Sequence, residues 1–394
     1  MGLRLSDRIQ RIQPSPTLTI TARAAELREQ GRDVIGLGAG EPDFPTPEPI
    51  RRAAAAAIEA GHTKYTPVGG IAPLKEAIRE KFHRDNGLDY GSDEVMVSCG
   101  GKQVVFNLAL ALLQEGDQAV IPAPYWVSYP DIVRLAGGRP VVIETNESSG
   151  FKITACQLEA VLNDYTRLLI LNSPSNPTGA VYTERELTVL ADVLRRHPHV
   201  AILTDDIYEK ILLGDSPFRN ILNVAPDLKD QTVVLNGVSK AFAMTGWRIG
   251  YAAGPAEVIG AMTKLQSQST SNPASVSQHA ALAALESDPG LIRPMVEAFR
   301  ERHEYLVQAL NGLPGVSCRR ADGAFYLFPS FHQAIDHLGL NDDVALATHL
   351  LDEAGVALVP GSAFGAPGYM RLSFATDLDT LKEAMDRLGT ALAG

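Results

Sequence analysis

The chain has 394 residues, more than one typical domain holds, so two compact units that share an interface are expected. Its formal net charge is −11 at pH 7 and its pI is about 5.3, and no run of Lys or Arg supplies a basic patch, so neither nucleic acid nor an anionic membrane is an expected partner. The longest apolar stretches are far shorter than the roughly 20 residues that span a bilayer.

The cysteines and histidines are scattered along the chain. Cys99, Cys156 and Cys318 form no C-x-x-C pair, which indicates reduced thiols and a cytoplasmic protein. His197 and His199 stand close together without a third ligand at helical or hairpin spacing, so a metal site is not expected.

The central part of the chain, from about residue 94 to 255, alternates short β-rich runs with helical patterns. Most of these runs are apolar on consecutive residues, as in strands that are covered on both faces. The pattern predicts an α/β fold with a mostly parallel sheet between helices. The candidate strands are 95–98, 118–121, 167–171, 200–204, 232–235 and 248–252.

The C-terminal part has a different pattern. A long amphipathic helix is predicted over 291–313, and short strand-like runs follow at 323–328, 356–360 and 369–374. This is an α+β pattern, and we expect the N-terminal segment to join it. The predicted division is therefore a large domain of residues 48–294 and a smaller domain of residues 1–47 and 295–394.

Polar clusters follow the predicted strands at their ends. Sheets of this type bind ligands at the carboxyl ends of their strands, so these clusters are expected to meet at one edge. The clusters are Gly100-Gly101-Lys102, Pro124-Tyr125-Trp126, residues 172–179, residues 205–208 and Ser239-Lys240.

Three of these clusters suggest an anionic aromatic ligand. Gly100-Gly101-Lys102 is a glycine turn that opens a helix, where free N–H groups and the helix dipole favour phosphate. The two prolines and the glycine around Asn176 fix a tight backbone path that can present its amide rigidly. Asn176 and Tyr208 are candidates to hydrogen-bond the phenolic oxygen of a cofactor ring.

Asp205 ends an apolar strand and is followed by a second carboxylate, Asp206. A carboxylate buried there needs a cationic partner, and the protonated nitrogen of a pyridine ring is a fitting one. The alternative is that Asp205 caps the next helix, although Asp206 is the better candidate for that cap.

Lys240 lies just after an apolar strand and before a turn of small residues. In that position an amine can leave solvent, lose its proton and attack a carbonyl, as a Schiff-base lysine does. Arg248, eight residues on, offers the planar fork that suits a phosphate. Together they suggest an aldehyde cofactor that bears a phosphate. The alternative is a surface lysine whose stem packs on apolar neighbours.

Taken together and in this order, these motifs resemble the fold-type I pyridoxal-phosphate aminotransferases of classes I and II, in particular the bacterial branch of aspartate aminotransferases. The resemblance covers nearly the whole chain and implies a seven-stranded, mostly parallel sheet with a smaller α+β domain. The motifs are residues 36–44, 64–67, 100–103, 123–130, 176–179, 239–240 and 368–373.

The resemblance also implies roles for single residues. Lys240 forms the covalent link to pyridoxal 5′-phosphate and shuttles the proton, Asp205 pairs with the ring nitrogen, and Trp126 stacks on the ring. The other implied cofactor contacts are Asn176 and Tyr208 to the ring oxygen, and Gly101, Lys102, Ser239, Arg248 and, across a homodimer, Tyr65 of the neighbouring subunit to the phosphate. The implied substrate contacts are Gly40, Lys102, Trp126, Asn176, Thr17 and, for the α-carboxylate, Arg371.

The sequence departs from related enzymes in two respects. Gly237 stands where many relatives carry a phosphate-binding serine, so the phosphate is expected to depend more on Ser239, Arg248 and the helix N-terminus. Animal-type aspartate enzymes bind the distal carboxylate with an arginine of the partner subunit, which has no convincing counterpart in residues 266–273. Lys102 resembles the residue that assumes this role in the bacterial branch.

The expected reaction is ping-pong transfer of an amino group between aspartate or glutamate and 2-oxo acids. The alternative substrate is prephenate, because the resemblance to enzymes that accept it extends to Lys102 and to residues 14–17, with Thr17 at the substrate entrance. A β-lyase or decarboxylase on the same scaffold is a third possibility, since the cofactor supplies the carbanion chemistry in each case. An aminotransferase-like regulator is not expected, because the similarity begins around residue 5 and leaves no room for a basic DNA-binding module.

Overall fold

The computed structural model describes residues 3–14, 16–214 and 217–393. Strands are numbered here in chain order: β1 (Ile35–Gly36), β2 (Val95–Ser98), β3 (Gln118–Pro122), β4 (Arg139–Ile143), β5 (Thr166–Asn172), β6 (Ala201–Asp205), β7 (Thr232–Gly237), β8 (Gly250–Ala253), β9 (Tyr326–Leu327), β10 (Val356–Ala357), β11 (Val359–Pro360) and β12 (Met370–Ser373).

The helices are numbered in the same way: α1 (Asp7–Gln10), α2 (Pro16–Glu29), α3 (Glu48–Glu59), α4 (Ala72–Lys81), α5 (Gly101–Leu112), α6 (Ser128–Leu135), α7 (Ala155–Val161), α8 (Glu184–Leu194), α9 (Ile221–Val224), α10 (Ala256–Ser267), α11 (Ser275–Glu286), α12 (Arg293–Asn311), α13 (His332–His337), α14 (Asp343–Glu353) and α15 (Leu378–Leu392). Within the described ranges no helix is both long and apolar enough to cross a membrane.

A seven-stranded sheet forms the centre of the molecule, in the order β2-β8-β7-β6-β5-β3-β4. The strands are parallel except for β8, which runs antiparallel to both of its neighbours. The predicted α/β fold with a mostly parallel sheet is therefore confirmed. Because the carboxyl ends of β3, β5, β6 and β7 meet at one edge, the turns that follow them lie side by side.

Both faces of this sheet are covered. Along β5 and β6, Leu169 and Ile202 pack into the core on one face, and Ile170 and Leu203 pack into the core on the other. This arrangement explains the consecutive apolar residues, since a strand with no solvent face has no position that favours a polar side chain.

In the large sheet, one strand was not predicted and another begins later than predicted. β4 was missed because it is an edge strand in which Pro140 cannot donate to the ladder and Val142 is 40% exposed, so it lacks the pattern of a covered strand. The strand predicted from residue 248 begins at Gly250 instead, because Arg248 has φ of 56°, in the left-handed region that no strand residue adopts.

The C-terminal part forms two small sheets against α12, α14 and α15. β9, β11 and β12 form an antiparallel sheet, and β1 of the N-terminal segment pairs in parallel with β10. The predicted long helix is α12, which is preceded by a 3-10 turn over residues 289–292. The division into residues 48–294 and residues 1–47 with 295–394 stays a proposal.

Candidate active site

A cavity of about 370 Å³ opens where the carboxyl edge of the large sheet faces the small antiparallel sheet. All the predicted site residues except Tyr65 line it. These are Thr17, Gly40, Gly101, Lys102, Trp126, Asn176, Asp205, Tyr208, Ser239, Lys240, Arg248 and Arg371. Their individual roles stay predictions, but the structure brings these side chains to one place.

Lys240 lies in the turn that follows β7, three residues beyond the strand end. Its Nζ donates a hydrogen bond of 2.5 Å to the carbonyl oxygen of Gly40. Burial lowers the pKa of Lys240 to about 8, and the positive charges of Arg371 and Arg248 act in the same direction. A larger share of this amine is therefore uncharged near neutral pH than for a surface lysine, as a nucleophile requires.

Two side chains of the segment that follows Gly40, Thr46 and Asp43, tie that segment to other parts of the chain. Thr46 donates its hydroxyl to the carbonyl of Ala243 at 2.6 Å and accepts a bond of 2.9 Å from the Trp247 indole. On the other side, Asp43 receives a bidentate pair of 2.8 Å bonds from Arg302 of α12. The segment that follows Gly40 is thereby bonded both to the turn after Lys240 and to α12.

Asp205 is the last residue of β6 and is 5% exposed. Its carboxylate accepts a 2.6 Å bond from the Tyr129 hydroxyl and a 3.3 Å bond from the Ile207 N–H. Burial raises the pKa of Asp205 to about 6, against the opposing effects of these two donors and of Lys240. A buried carboxylate held in this way is suited to pair with a cation that enters the cavity.

Neither Asp205 nor Asp206 caps a helix. Residues 207–210 form turns rather than a helix. Asp206 faces away from the cavity, and accepts bonds from Thr204 at 2.6 Å and from Asn220 at 3.0 Å. The expected cap at Asp206 was therefore wrong, because its buried hydrogen-bond partners occupy the oxygens that a cap would use.

The start of α5 has groups that could hold an anion, and we call this set of groups the anion cradle. The first turn of a helix carries N–H groups with no intrahelical acceptor, and here Gly101 and Lys102 supply them beside Ser239 and Arg248. Gly100 has φ of 89°, and a Cβ there would collide with the Arg248 guanidinium. The glycine turn therefore allows Arg248 to lie against the backbone of the cradle.

Gly237, at the end of β7, leaves little room for a side chain. A Cβ at this position would lie 3.0 Å from Ile207 Cδ1 and 3.1 Å from the Ile249 carbonyl oxygen. Ile207 would have to move to admit a serine, so in this chain the cradle is formed without a hydroxyl at position 237.

Arg371 of β12 is 2% exposed, and no carboxylate of the described residues forms an ion pair with it. Its guanidinium donates to Asn176 Oδ1 at 2.9 Å and to the Gly38 carbonyl at 2.5 Å. It lies 4.6 Å from the ring centre of Tyr326 and 5.1 Å from that of Phe364, and its buried Nε has no hydrogen-bond partner among residues 3–14, 16–214 and 217–393. A fixed, buried cation of this kind is suited to receive a carboxylate from a ligand.

Lys102 and Thr17 both line the cavity. Lys102 Nζ is 5.0 Å from the ring centre of Trp126, and Trp126 packs edge-on against Tyr129 at 5.3 Å. Partial burial and the charge of Arg248 lower the pKa of Lys102. Thr17, on α2, lines the same cavity, and Ser15 of the predicted entrance segment lies outside the described residues.

Tyr65 is not part of this cavity. It lies in the loop between α3 and α4 and is 90% exposed. An exposed tyrosine in the loop is compatible with the expected contact to a neighbouring subunit.

Sequence reasoning missed two tyrosines of the cavity, Tyr129 and Tyr326. Tyr129 holds Asp205, and Tyr326 bonds to the hydroxyl of Tyr208 at 2.9 Å. Both stand in motifs that were recognised, residues 123–130 and the run 323–328, but their partners are 76 and 118 residues away along the chain. Spacing along the sequence gives no signal for such contacts.

Known proteins are similar to this chain over most of its length. The sequence model of the family described as aminotransferase class I and II matches residues 32–388. A relative from Nitrosomonas europaea named aspartate/prephenate aminotransferase is 55% identical, over 99% of this chain and all of its own length.

Two solved structures are also similar. The aspartate aminotransferase from Rhizobium meliloti has a TM-score of 0.95 and 46% identity, and the match covers 100% of this chain and 99% of that one. The aspartate aminotransferase from Thermus thermophilus with maleate has a TM-score of 0.93 and 42% identity, and the match covers 99% of this chain and 100% of that one.

Proposed function

The chain belongs to the class I and II aminotransferases, and we propose that it transfers the amino group between aspartate or glutamate and 2-oxo acids with pyridoxal 5′-phosphate as cofactor. The observation that carries the proposal is Arg371, a buried cation that pairs with no carboxylate in the described part of the chain, in the same cavity as the amine of Lys240. It supports a substrate that brings its own carboxylate to a reacting amine.

The residues present fit pyridoxal 5′-phosphate. The first turn of α5, with Ser239 and Arg248, would hold the phosphate, and the glycine at position 100 keeps this cradle open. Asp205 would pair with the ring nitrogen, and Asn176 and Tyr208 would donate to the phenolic oxygen. When bound, the cofactor supplies an electron sink for the charge that develops on the substrate α-carbon.

The chain itself supplies binding, orientation and proton transfer. Arg371 would hold the α-carboxylate, and the bond from Arg371 to Asn176 Oδ1 leaves the amide Nδ2 as the donor for a ligand. Lys240 Nζ would move the proton at the substrate α-carbon, a task that its lowered pKa suits. The amino group then passes in ping-pong order, since the first oxo acid leaves before the second one binds.

Steady-state rates with aspartate, glutamate, phenylalanine and alanine as donors test the proposal, with oxaloacetate, 2-oxoglutarate and prephenate as acceptors. Aspartate and glutamate are expected to give the highest kcat/KM, with 2-oxoglutarate and oxaloacetate as the matching acceptors. Elimination or decarboxylation products without amino transfer would contradict it.

Prephenate is a second candidate acceptor, because Thr17 and Lys102 line the same cavity and a relative named for aspartate and prephenate is 55% identical. Prephenate carries a second carboxylate on its ring, which Lys102 would bind. Transfer from glutamate or aspartate to prephenate in the same assay is the test.

Lys102→Ala is expected to lower kcat/KM for aspartate and glutamate by about 10- to 150-fold, the equivalent of roughly 1.5 to 3 kcal/mol for a charge-assisted hydrogen bond. Lys102 lines the cavity, where the charge of Arg248 acts on it, and its amine would bind a distal carboxylate. Phenylalanine and alanine lack that carboxylate and should lose much less.

Lys102→Met is the matched control, because it keeps the aliphatic stem over Trp126 and removes only the charge. It should reproduce the loss on acidic donors. Equal losses on acidic and neutral donors would instead indicate a damaged phosphate cradle, and the role of Lys102 in specificity would be wrong.

We propose a homodimer with shared sites, in which the exposed Tyr65 reaches the phosphate of the other subunit. Lys240→Ala chains mixed with Tyr65→Ala chains are expected to recover roughly a quarter of the wild-type rate, because half of the dimers are hybrids and each hybrid contains one intact site. If Tyr65 served its own subunit, every hybrid site would keep one defect. No recovery, after dimer exchange has been verified, would therefore contradict the sharing.

A cytoplasmic location, predicted from the scattered cysteines, belongs to the same proposal.

A further inference from the structure

Tyr326 connects three parts of the candidate site. It lies on β9, which pairs with β12, the strand that carries Arg371, and it is wholly buried. Its hydroxyl is 2.9 Å from the hydroxyl of Tyr208, and its ring centre is 4.6 Å from the Arg371 guanidinium carbon. A Cβ on Gly40 would lie 2.7 Å from the same hydroxyl, so the glycine backbone closes over it.

The hydroxyl protons of Tyr208 and Tyr326 determine which of the two tyrosines donates to the other when a ligand is bound. Each phenol has one proton, and either oxygen can donate in the bond between Tyr208 and Tyr326. If Tyr208 donates its proton to an oxygen of the cofactor, the bond between the tyrosines persists only with Tyr326 as the donor. Donation to the Tyr208 oxygen makes the Tyr208 proton a stronger donor in turn, since hydrogen bonds in a chain polarise one another.

Both phenols stay neutral while this happens. Burial raises the pKa of Tyr208 and of Tyr326, although the charge of Arg371 opposes the rise in both. The other charged groups around the pair are Asp205 at the end of β6, Lys240 after β7, and Arg248 and Glu41, which act on Lys240. Tyr326 is not among the groups that shift the pKa of Asp205 or of Lys240, so its route to the cofactor is the hydrogen bond to Tyr208.

We propose that Tyr326 is a positioning residue that acts through Tyr208 to stabilise the ionised phenolic oxygen of the bound cofactor. It thereby sets the pH at which the linkage between Lys240 and the cofactor loses its proton. This inference rests on the proposed function, because it requires pyridoxal 5′-phosphate on Lys240. Tyr326, on the small antiparallel sheet, would then act on the cofactor together with residues of the large sheet.

The test is a pH titration of the visible absorbance of the holoenzyme, with no substrate present. Tyr326→Phe is expected to raise the midpoint by about 0.3 to 0.5 pH unit, and Tyr208→Phe by about 0.7 unit or more, the equivalent of one neutral hydrogen bond. The double variant should match Tyr208→Phe alone, because Tyr326 has nothing to act through once the Tyr208 hydroxyl is gone.

Tyr182→Phe is the matched control. Tyr182 is also buried and loses a hydrogen bond, from the Ile153 N–H at 3.1 Å, but it does not line the cavity. The midpoint of its absorbance titration should equal that of the wild type. A shifted midpoint in Tyr182→Phe would show that the loss of any buried hydroxyl has this effect, and it would overturn the proposal.

Three further outcomes would overturn the inference. An unchanged midpoint in Tyr326→Phe would show that its hydroxyl does not act on the cofactor. Shifts that add in the double variant would show that it acts without Tyr208. A wild-type protein with no visible band after incubation with pyridoxal 5′-phosphate would overturn the proposed function and the inference together, and this result is distinguishable from the first two.

Discussion

Lys240→Ala is expected to bind cofactor and to lose turnover by more than the roughly 100- to 10,000-fold that general acid–base transfer alone contributes. The variant loses both the nucleophile and the base, while the phosphate cradle at the start of α5 and the Asp205 carboxylate stay in place. Borohydride reduction of the wild type followed by peptide mapping should mark Lys240. In the variant the same treatment should attach no cofactor to the protein, so the cofactor can still be released.

Lys382→Ala is a suitable control for this experiment. Lys382 is exposed on α15 and pairs with Asp379, outside the cavity. Its rate and its labelling should match those of the wild type. If reduction instead marked Lys102, the other lysine that lines the cavity, Lys240 would not be the covalent site and the proposed mechanism would be wrong.

The sequence could predict that these site residues meet, because each of them follows an apolar strand. Asp205 and Lys240 each follow an apolar strand, and in a parallel sheet the ends of such strands meet at one edge. Arg371 is different, because it reaches the cavity from β12 of a separate small sheet. Its place came only from the resemblance of its motif to a family.

Contacts between distant segments were not predictable in the same way. Strand patterns show that Tyr326 lies in a buried run, but not that its hydroxyl meets Tyr208 or that Arg371 stacks on its ring. The left-handed backbone conformation of Arg248 could not be predicted either. It depends on how residues 245–250 turn between the Lys240 loop and β8, which the residue types alone do not specify.

Asp205→Asn is expected to lower kcat/KM by about 150- to 5,000-fold, because breaking a buried ion pair costs roughly 3 to 5 kcal/mol. Asn fits the same space. Its amide oxygen can accept the bond from the Ile207 N–H, and its NH2 group can donate to the Tyr129 oxygen, so the fold should persist. The loss then reports the missing charge opposite the ring nitrogen.

Asp205→Asn should lower kcat/KM but raise the stability of the apoprotein against unfolding. The pKa of Asp205 is raised from 3.8 to about 6, so the folded state holds a proton that the unfolded state releases as the pH rises between these values. Stability therefore falls across this window, and above pH 6 the wild-type apoprotein carries a cost of about 3 kcal/mol. Asn has no charge to bury, so at pH 8 apo Asp205→Asn should be the more stable protein by up to about this amount, and the difference should vanish near pH 4.

Urea unfolding at one protein concentration, with and without pyridoxal 5′-phosphate, separates the two effects. Adding cofactor should stabilise the wild type more than Asp205→Asn, because only the carboxylate gains a cationic partner. Asp206→Asn is the matched control, since Asp206 is equally buried, its pKa is raised to about 7, and it does not line the cavity. Apo Asp206→Asn should also be more stable than the apo wild type at pH 8, and this difference should also shrink as the pH falls. The stability that Asp206→Asn gains from cofactor should equal the gain of the wild type. An equal gain in Asp205→Asn as well would remove Asp205 from the cofactor site and assign its burial to the fold alone.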